Sequence, residues 1–345
     1  MEEKAQRDPC ATDGASPAPF SVSFLVLEGF SMLALSSAVE PLRALNRLTG
    51  EERYVWTVVG ERAGPVAAGN GIEIGATCGV REAPPCDLWV VVASLSTELA
   101  DPGAVFERLR RIRAERRLLG AVSNGTLILA QAGVLGDRRV TIHWEMQRRL
   151  AEAFPELEVR PDLYCWDRGV LSAAGGTAAL DMFLALIAER DGHSAAAEVS
   201  DQFLHGPVRP STEMQRQDVR WRYQVTDRRL VTVIRIMEEH QSDPMRICRI
   251  ADTAGISERQ LERLFVSEFG KSPSDFYMDI RLKTAQRWLL NSTESLERIS
   301  EISGFSSLAH FSRSFKAWSG LSPSVLRKRH RGKNDGNMQE VDVRA

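Results

Sequence analysis

The stretch AVSNGT, Ala121 to Thr126, closes an apolar run on a lone serine and continues into the helical LILAQAGVL. Small residues around a serine at a strand end are how a nucleophile elbow is built, so Ser123 could attack a carbonyl if a base took its proton. His143, in RVTIHWE, could be that base, with Glu145 or Glu40 orienting it. Spacing alone completes no triad, and a histidine there is equally a core residue satisfied by backbone. The same stretch can also bind without turnover. The amides of Asn124 and Gly125 open one helix and those of Gly176 and Thr177 another, and helix starts facing one cavity bind carboxylates. Glu40 and the ring of Trp144 could meet a cation at the far end. The set then suits a zwitterion such as an amino acid or a betaine, with plain core packing as the competing reading of Trp144.

A second group of polar residues lies in the last third, inside an internal repeat. GISERQLERLFVSEFGKSP (Gly255 to Pro273) resembles GFSSLAHFSRSFKAWSGLSP (Gly304 to Pro323). Leu261, Arg263, Phe265, Gly270 and Pro273 map onto Phe311, Arg313, Phe315, Gly320 and Pro323, 50 residues later, whereas the leading glycines differ by 49. The second copy therefore carries one extra residue near its turn. In each copy a short helix ends at a glycine suited to a left-handed turn, and a serine, Ser257 or Ser306, stands where the next helix needs its N-cap. This is helix-turn-helix grammar, with the second helix entering the major groove. Arg259, Gln260 and Arg263 are expected on the groove face of the first copy, and Ser307, His310 and Arg313 on that of the second. Arginine and glutamine have the bidentate geometry that base edges require; a solvated helix face is the alternative.

The elements that must position these residues fall into two rhythms. Between residues 20 and 205, short β-rich runs (FSVSFLVL, RYVWTVVG, DLWVVVA, LLGAVSN, RVTIH) alternate with helical periods. That order predicts an α/β flavodoxin-like open parallel sheet, with ligands outside the strands' carboxyl ends, where Ser123 falls. Residues 206–225, polar and interrupted by prolines, read as a linker. From 226 to 331 every segment is helical, and SPSDFYMDIRLKTAQRWLL forms one long helix between the two copies, giving an all-α double helix-turn-helix domain. Residues 1–19 and 332–345 are expected to be a disordered leader and tail.

Bulk composition agrees with two joined modules. The 345 residues suffice for two cores, and the net charge of −2 hides a split. Residues 226–331 hold 18 Lys/Arg and 13 Asp/Glu, a net +5 against −7 elsewhere, which points to a nucleic-acid module on an acidic body. Five scattered cysteines show neither disulfide nor metal-ligand spacing. No metal, cofactor or membrane span is expected, and the leader lacks a signal peptide's apolar core, so a cytoplasmic protein is expected.

Residues 228–330, through GFSSLAHFSRSFK and the following GLSP, resemble the AraC/XylS transcription regulators. Residues 20–205 resemble the class I glutamine-amidotransferase-like (PfpI-like) superfamily, in the branch fused to AraC-type domains. LVLEGFSMLALSSAVEPLRALNRL, AVSNGTLILAQAGVLGDRRVTIHWE and SAAGGTAALDMFLALIAE carry that second resemblance. Ser123 stands where catalytic members have cysteine, and His143 matches their downstream histidine. A serine hydroxyl is a poor nucleophile without a base, whereas an elbow cysteine can ionise unaided. The resemblances imply double-stranded promoter DNA as partner, activation together with RNA polymerase, homodimerisation through the N-terminal domain, and a small-molecule effector related to amino-acid-derived amines or quaternary ammonium compounds. The expected protein is a regulator and no enzyme. The alternative is an amidohydrolase using Ser123, with a DNA-binding domain attached.

Overall fold

The computed structural model describes residues 18–95, 97–292 and 294–334, so most of the expected leader and tail lies outside the described residues. The chain divides into two compact units after Gln215.

The first unit runs β1 (Phe20–Val26), α1 (Met32–Thr49), β2 (Tyr54–Gly60), β3 (Gly64–Ala67), β4 (Glu73–Ala76), β5 (Cys78–Gly79), β6 (Leu88–Ala93), α2 (Pro102–Ala114) and β7 (Leu118–Ser123). It continues through α3 (Gly125–Gln131), β8 (Arg139–Thr141), α4 (Gln147–Ala153), β9 (Glu158–Arg160), β10 (Tyr164–Asp167), β11 (Val170–Ala173), α5 (Ala178–Asp191) and α6 (His193–Gln202). Seven strands form one sheet in the order β10-β11-β7-β6-β1-β2-β5, every pair parallel except β10–β11. β6 is buried on both faces along its whole length, which explains its continuous apolar run LWVVVA. Alternate residues serve opposite layers. Val22, Phe24, Val26, Val90 and Val92 pack with α1, α5 and α6, whereas Leu25, Leu27, Trp89 and Val91 pack with α2 and α3. The winding direction reverses between β1 and β6, so a ligand crevice is expected outside their carboxyl ends, beside the end of β7.

One expected strand departs from the sequence reading. RVTIH does not join the main sheet: β8 pairs with β9 alone. LYCWDRGVLSAA is a hairpin, turning at Arg168 and Gly169 with φ of +44° and +81°.

The second unit is helical throughout its described residues: α7 (Val219–Tyr223), α8 (Arg228–Glu239), α9 (Ile247–Thr253), α10 (Glu258–Phe269), α11 (Pro273–Asn291), α12 (Leu296–Ile302), α13 (Leu308–Ser319) and α14 (Pro323–Asn334). The long α11 belongs to two cores. Phe276, Tyr277 and Ile280 pack with α8–α10, while Leu282, Ala285 and Leu289 pack with α12 and α13.

The stretch expected to be a linker is packed along much of its length. Gln215 donates to Thr141 Oγ1 (3.0 Å), Ile142 O (3.0 Å) and Asp162 O (2.8 Å) in the first unit. Val219 and Val225 enter the core of the second. α14 runs three residues past the expected start of the tail, to Asn334. No described helix is long and apolar enough to cross a membrane.

Candidate functional site

β7 delivers Ser123 to the carboxyl edge of the sheet with φ of +58°. A non-glycine residue in that region is strained by about 1–3 kcal/mol, and such strain persists only where the surroundings enforce it. Here they do. A Cβ on Gly125 would lie 2.3 Å from Val91 O, so only glycine lets α3 start so close to β6. A Cβ on Gly175 (φ +117°) would lie 2.9 Å from Ser123 Cβ, so this glycine leaves the room above the serine. Asn124 is 4% exposed, and its Oδ1 has no hydrogen-bond partner. Neither Asn124 at the start of α3 nor Thr177 at the start of α5 caps its helix with its side chain. At the start of α5 the amides of Ala178, Ala179 and Leu180 are taken by the Gly175, Gly176 and Thr177 carbonyls, and in α3 that of Leu127 by Asn124 O, so the amides left for a ligand are those of the residues just ahead of these.

The same edge brings together residues that the sequence did not single out. Gly29 follows β1 and Ser94 follows β6, with Ser94 Oγ 3.7 Å from a Cβ on Gly29. Leu33 Cδ2 lies 3.9 Å from a Cβ on Gly176. Arg209 donates through Nη2 to Thr177 Oγ1 (2.9 Å) and grips Asp181 with Nε (3.0 Å), Nη2 (2.6 Å) and its backbone amide (2.9 Å). His205 Nε2 lies 3.1 Å from the same carboxylate, which is 0% exposed. A guanidinium therefore stands at the start of α5, a feature with no local sequence signal because 28 residues separate Arg209 from Asp181.

His143 and Trp144 follow β8, half-buried, with ring centroids 5.4 Å apart. His143 Nδ1 accepts from the Glu145 amide at 3.4 Å. Thr126 Oγ1 donates to Thr141 O (2.8 Å), tying their segment to α3 three residues beyond Ser123. Among the described residues, Ser123 Oγ has no side-chain hydrogen bond. Glu40 is not brought to this edge. It lies eight residues into α1, about 12 Å along the axis, and its carboxylate accepts from Arg43 Nε (2.9 Å) and Nη2 (2.5 Å). A cavity of about 150 Å³ beside α2 is lined by three arginines, but Arg81 is paired with Asp101, Arg111 with Glu107, and Arg108 with the Ala83 and Pro84 carbonyls.

In the second unit Gly255 (φ +69°) and Gly304 (φ +74°) make the two turns. Ser257 Oγ accepts from the Gln260 amide (3.3 Å) while Gln260 Oε1 accepts from the Ser257 amide (3.0 Å), a closed capping box. In the second copy the cap is Ser307, accepting from the His310 amide at 3.2 Å, and not the expected Ser306. The extra residue sits between glycine and cap, so the 50-residue offset already holds at the cap. Gln260 and Ser307 thus commit side-chain oxygens to helix starts, and His310 leans edge-on against Phe305 at 5.3 Å. Arg259, Arg263 and Arg313 are exposed on the side opposite fully buried Leu261, Phe265, Phe311 and Phe315. Arg281 of α11 braces the second turn, donating through Nε to Ser303 O (2.9 Å) and through Nη2 to Gly304 O (2.6 Å), with its guanidinium 4.4 Å from the Phe305 ring centroid.

Comparison with known proteins places both units. Residues 21–189 match the DJ-1/PfpI family and residues 250–329 the family described as a helix-turn-helix domain. The HTH-type transcriptional regulator CdhR of Pseudomonas aeruginosa is 38% identical over 87% of this chain and 89% of its own length. The HTH-type transcriptional regulator GlxA of Rhizobium meliloti is 37% identical over 89% of this chain and 95% of its own. Among solved structures, an AraC family transcriptional regulator from Pseudomonas putida is 31% identical with a TM-score of 0.51, covering 54% of this chain and all (100%) of that one.

Proposed function

The chain belongs to the helix-turn-helix transcriptional regulators that join a DJ-1/PfpI-family domain to an AraC-type DNA-binding domain, and from that membership we propose that its first unit is a non-catalytic sensor of a small zwitterionic metabolite. The observation that carries this reading is Ser123, held at φ +58° beside the unpartnered Asn124 Oδ1. In this reading the Ser123 hydroxyl and the backbone amides at Asn124, Gly125, Gly176 and Thr177 receive the carboxylate, while Asn124 Oδ1, an acceptor, is left to meet a donor on the ligand. The Trp144 ring, with His143 beside it, faces the ammonium or quaternary nitrogen. Glu40, already matched by Arg43, is left out. Ser123 standing where catalytic members have cysteine supports this reading, because a serine hydroxyl is a poor nucleophile unless a base takes its proton.

The effector class is amino-acid-derived amines or betaines, and the output is activation of transcription with RNA polymerase. The sensor spans residues 20–205 with its packed extension to Gln215, it forms the dimer contact, and the protein works in the cytoplasm.

A thermal-shift screen of the full chain against amino acids, betaines and simple amines tests the sensor. A zwitterion should raise the midpoint by mass action. Ser123→Ala should fold normally and bind that ligand more weakly, by about 1 kcal/mol if the lost hydrogen bond is neutral and about 1.5–3 kcal/mol if it meets a carboxylate. A mass-spectrometric adduct on Ser123, or steady consumption of the ligand, would establish an enzyme instead.

A further inference from the structure

The two helix-turn-helix copies share a fold but differ in charge where they face outward. With the 50-residue offset, the buried anchors Leu261/Phe311 and Phe265/Phe315 coincide, and so does one outward cation, Arg263/Arg313. Elsewhere the copies diverge. Glu258, Glu262 and Val266 on α10 stand where α13 has Leu308, Ser312 and Lys316. α10 carries three glutamates and two arginines, whereas α13 carries Arg313 and Lys316 and no acid. The contrast continues into the next helices, where Asp275 and Asp279 of α11 correspond to Val325 and Arg329 of α14.

Glu258 lies in the first turn of α10, where a carboxylate favours the helix start, but Glu262 lies beyond it. Glu258 and Glu262 form an i,i+4 like-charge row, and Arg259 and Arg263 form another beside it. Such pairs destabilise an isolated helix by about 0.2–0.5 kcal/mol each. All four side chains are exposed, and none forms an ion pair in the described structure. Their effect falls on whatever approaches the helix. Toward a duplex, a carboxylate is repelled by phosphates and offsets the counterion release that drives sequence-independent binding. Only a base donor such as the cytosine amino group repays its approach.

We infer that the two copies divide recognition: α13, with Arg313 and Lys316, anchors the protein to the phosphate backbone of any duplex, while Glu258 and Glu262 hold α10 off sequences that offer them no donor. The inference rests on reading both outward faces as the DNA interface. Discrimination by repulsion then resides in the first copy and affinity in the second.

Binding of the full-length protein to a long random-sequence duplex, measured by fluorescence anisotropy across a salt series, tests this. Arg313→Ala and Lys316→Ala should each weaken binding and reduce the salt slope by about 1. Glu258→Gln combined with Glu262→Gln should tighten binding to the random duplex by roughly tenfold at low salt. Selection from a random pool with that double variant should return a consensus depleted in its cytosine positions. If Arg313 and Lys316 respond but the double variant neither tightens random binding nor changes the selected consensus, the division of labour is wrong. If no variant on either helix alters affinity or slope, the assigned DNA faces themselves are wrong.

Discussion

Ser123 shows how a single residue can be conspicuous in sequence and still have its meaning set by distant partners. Its place at the end of an apolar run was legible, because small residues after a strand and before a helix leave few other geometries. What leaves room for it there is Gly175, 52 residues away, which was legible only as part of a small-residue turn. Gly175→Ala should therefore do more than an ordinary surface change. At φ +117° an alanine adds strain of about 1–3 kcal/mol, and its methyl would meet Ser123 Cβ at 2.9 Å. The expected outcome is a lower thermal midpoint and loss of the ligand-induced shift; an unchanged midpoint and shift would show that the turn yields freely. Glu40 illustrates the opposite failure. Residue type suggested a cation partner, but three residues on, the helix supplies Arg43, and an i,i+3 pair needs no ligand to explain it. Gln260 and Ser307 likewise looked like base readers, yet their oxygens close helix starts, because position within the first turn decides what a polar side chain can reach.

Among elements, the helices of the second unit were readable nearly in full, since turn glycines, cap serines and aromatic spacing all agree. The Ser306/Ser307 shift and the β8–β9 ladder were not, because both depend on which backbone groups find partners after packing. The coupling of α7 to α8 was also hidden inside a stretch that looked like a linker. There Glu238, with a side chain 11% exposed, accepts from Arg222 Nη1 (2.5 Å) and Nη2 (2.6 Å) and from Tyr223 OH (3.2 Å). Burial alone would raise its pKa, but Arg222 and Arg216 outweigh burial and hold it below the ordinary glutamate value. A depressed folded-state pKa contributes stability that is present above the unfolded value near 4.3 and is lost as pH falls through the lower folded value. Urea midpoints of the full chain should accordingly drop as pH is lowered from about 4.5, and Glu238→Gln should flatten that dependence for the transition of the second unit. Equal acid sensitivity in the variant would remove Glu238 from the account.

For the whole molecule, the charge split of +5 against −7 was the first sign that two functions share the chain. It also bears on how the DNA-binding unit works. If the first unit dimerises, two basic modules are presented together, and the second binding event becomes intramolecular. A fragment from Arg216 onward, which keeps α7 and its Glu238 pairing, should then bind random or selected DNA far more weakly than the full chain under the same salt. Equal affinities would mean that each module acts alone. The sequence located this unit and its polarity, but it placed the boundary by the proline-rich polarity of 206–225, whereas the chain is partitioned by hydrogen bonds that polarity does not report.

The clasp of Arg209 on Asp181 makes that boundary a matter of portability. A sensor excised after residue 205 and spliced onto another output domain would carry away the Asp181 carboxylate, 0% exposed, and leave its cation behind. Removing one partner of a buried pair costs about 3–5 kcal/mol. The lower end applies here, because the Arg209 side chain is 30% exposed and water already screens part of the pair. In a unit of this size each kcal/mol moves the thermal midpoint by roughly 2–4 °C. The cassette ending at 205 should therefore melt several degrees below one ending at 215, which also retains the Gln215 bonds to Thr141, Ile142 and Asp162; equal melting would show that the clasp is dispensable. A transplantable sensor thus ends at Gln215, and the ten residues that look most like spare tether must travel with it.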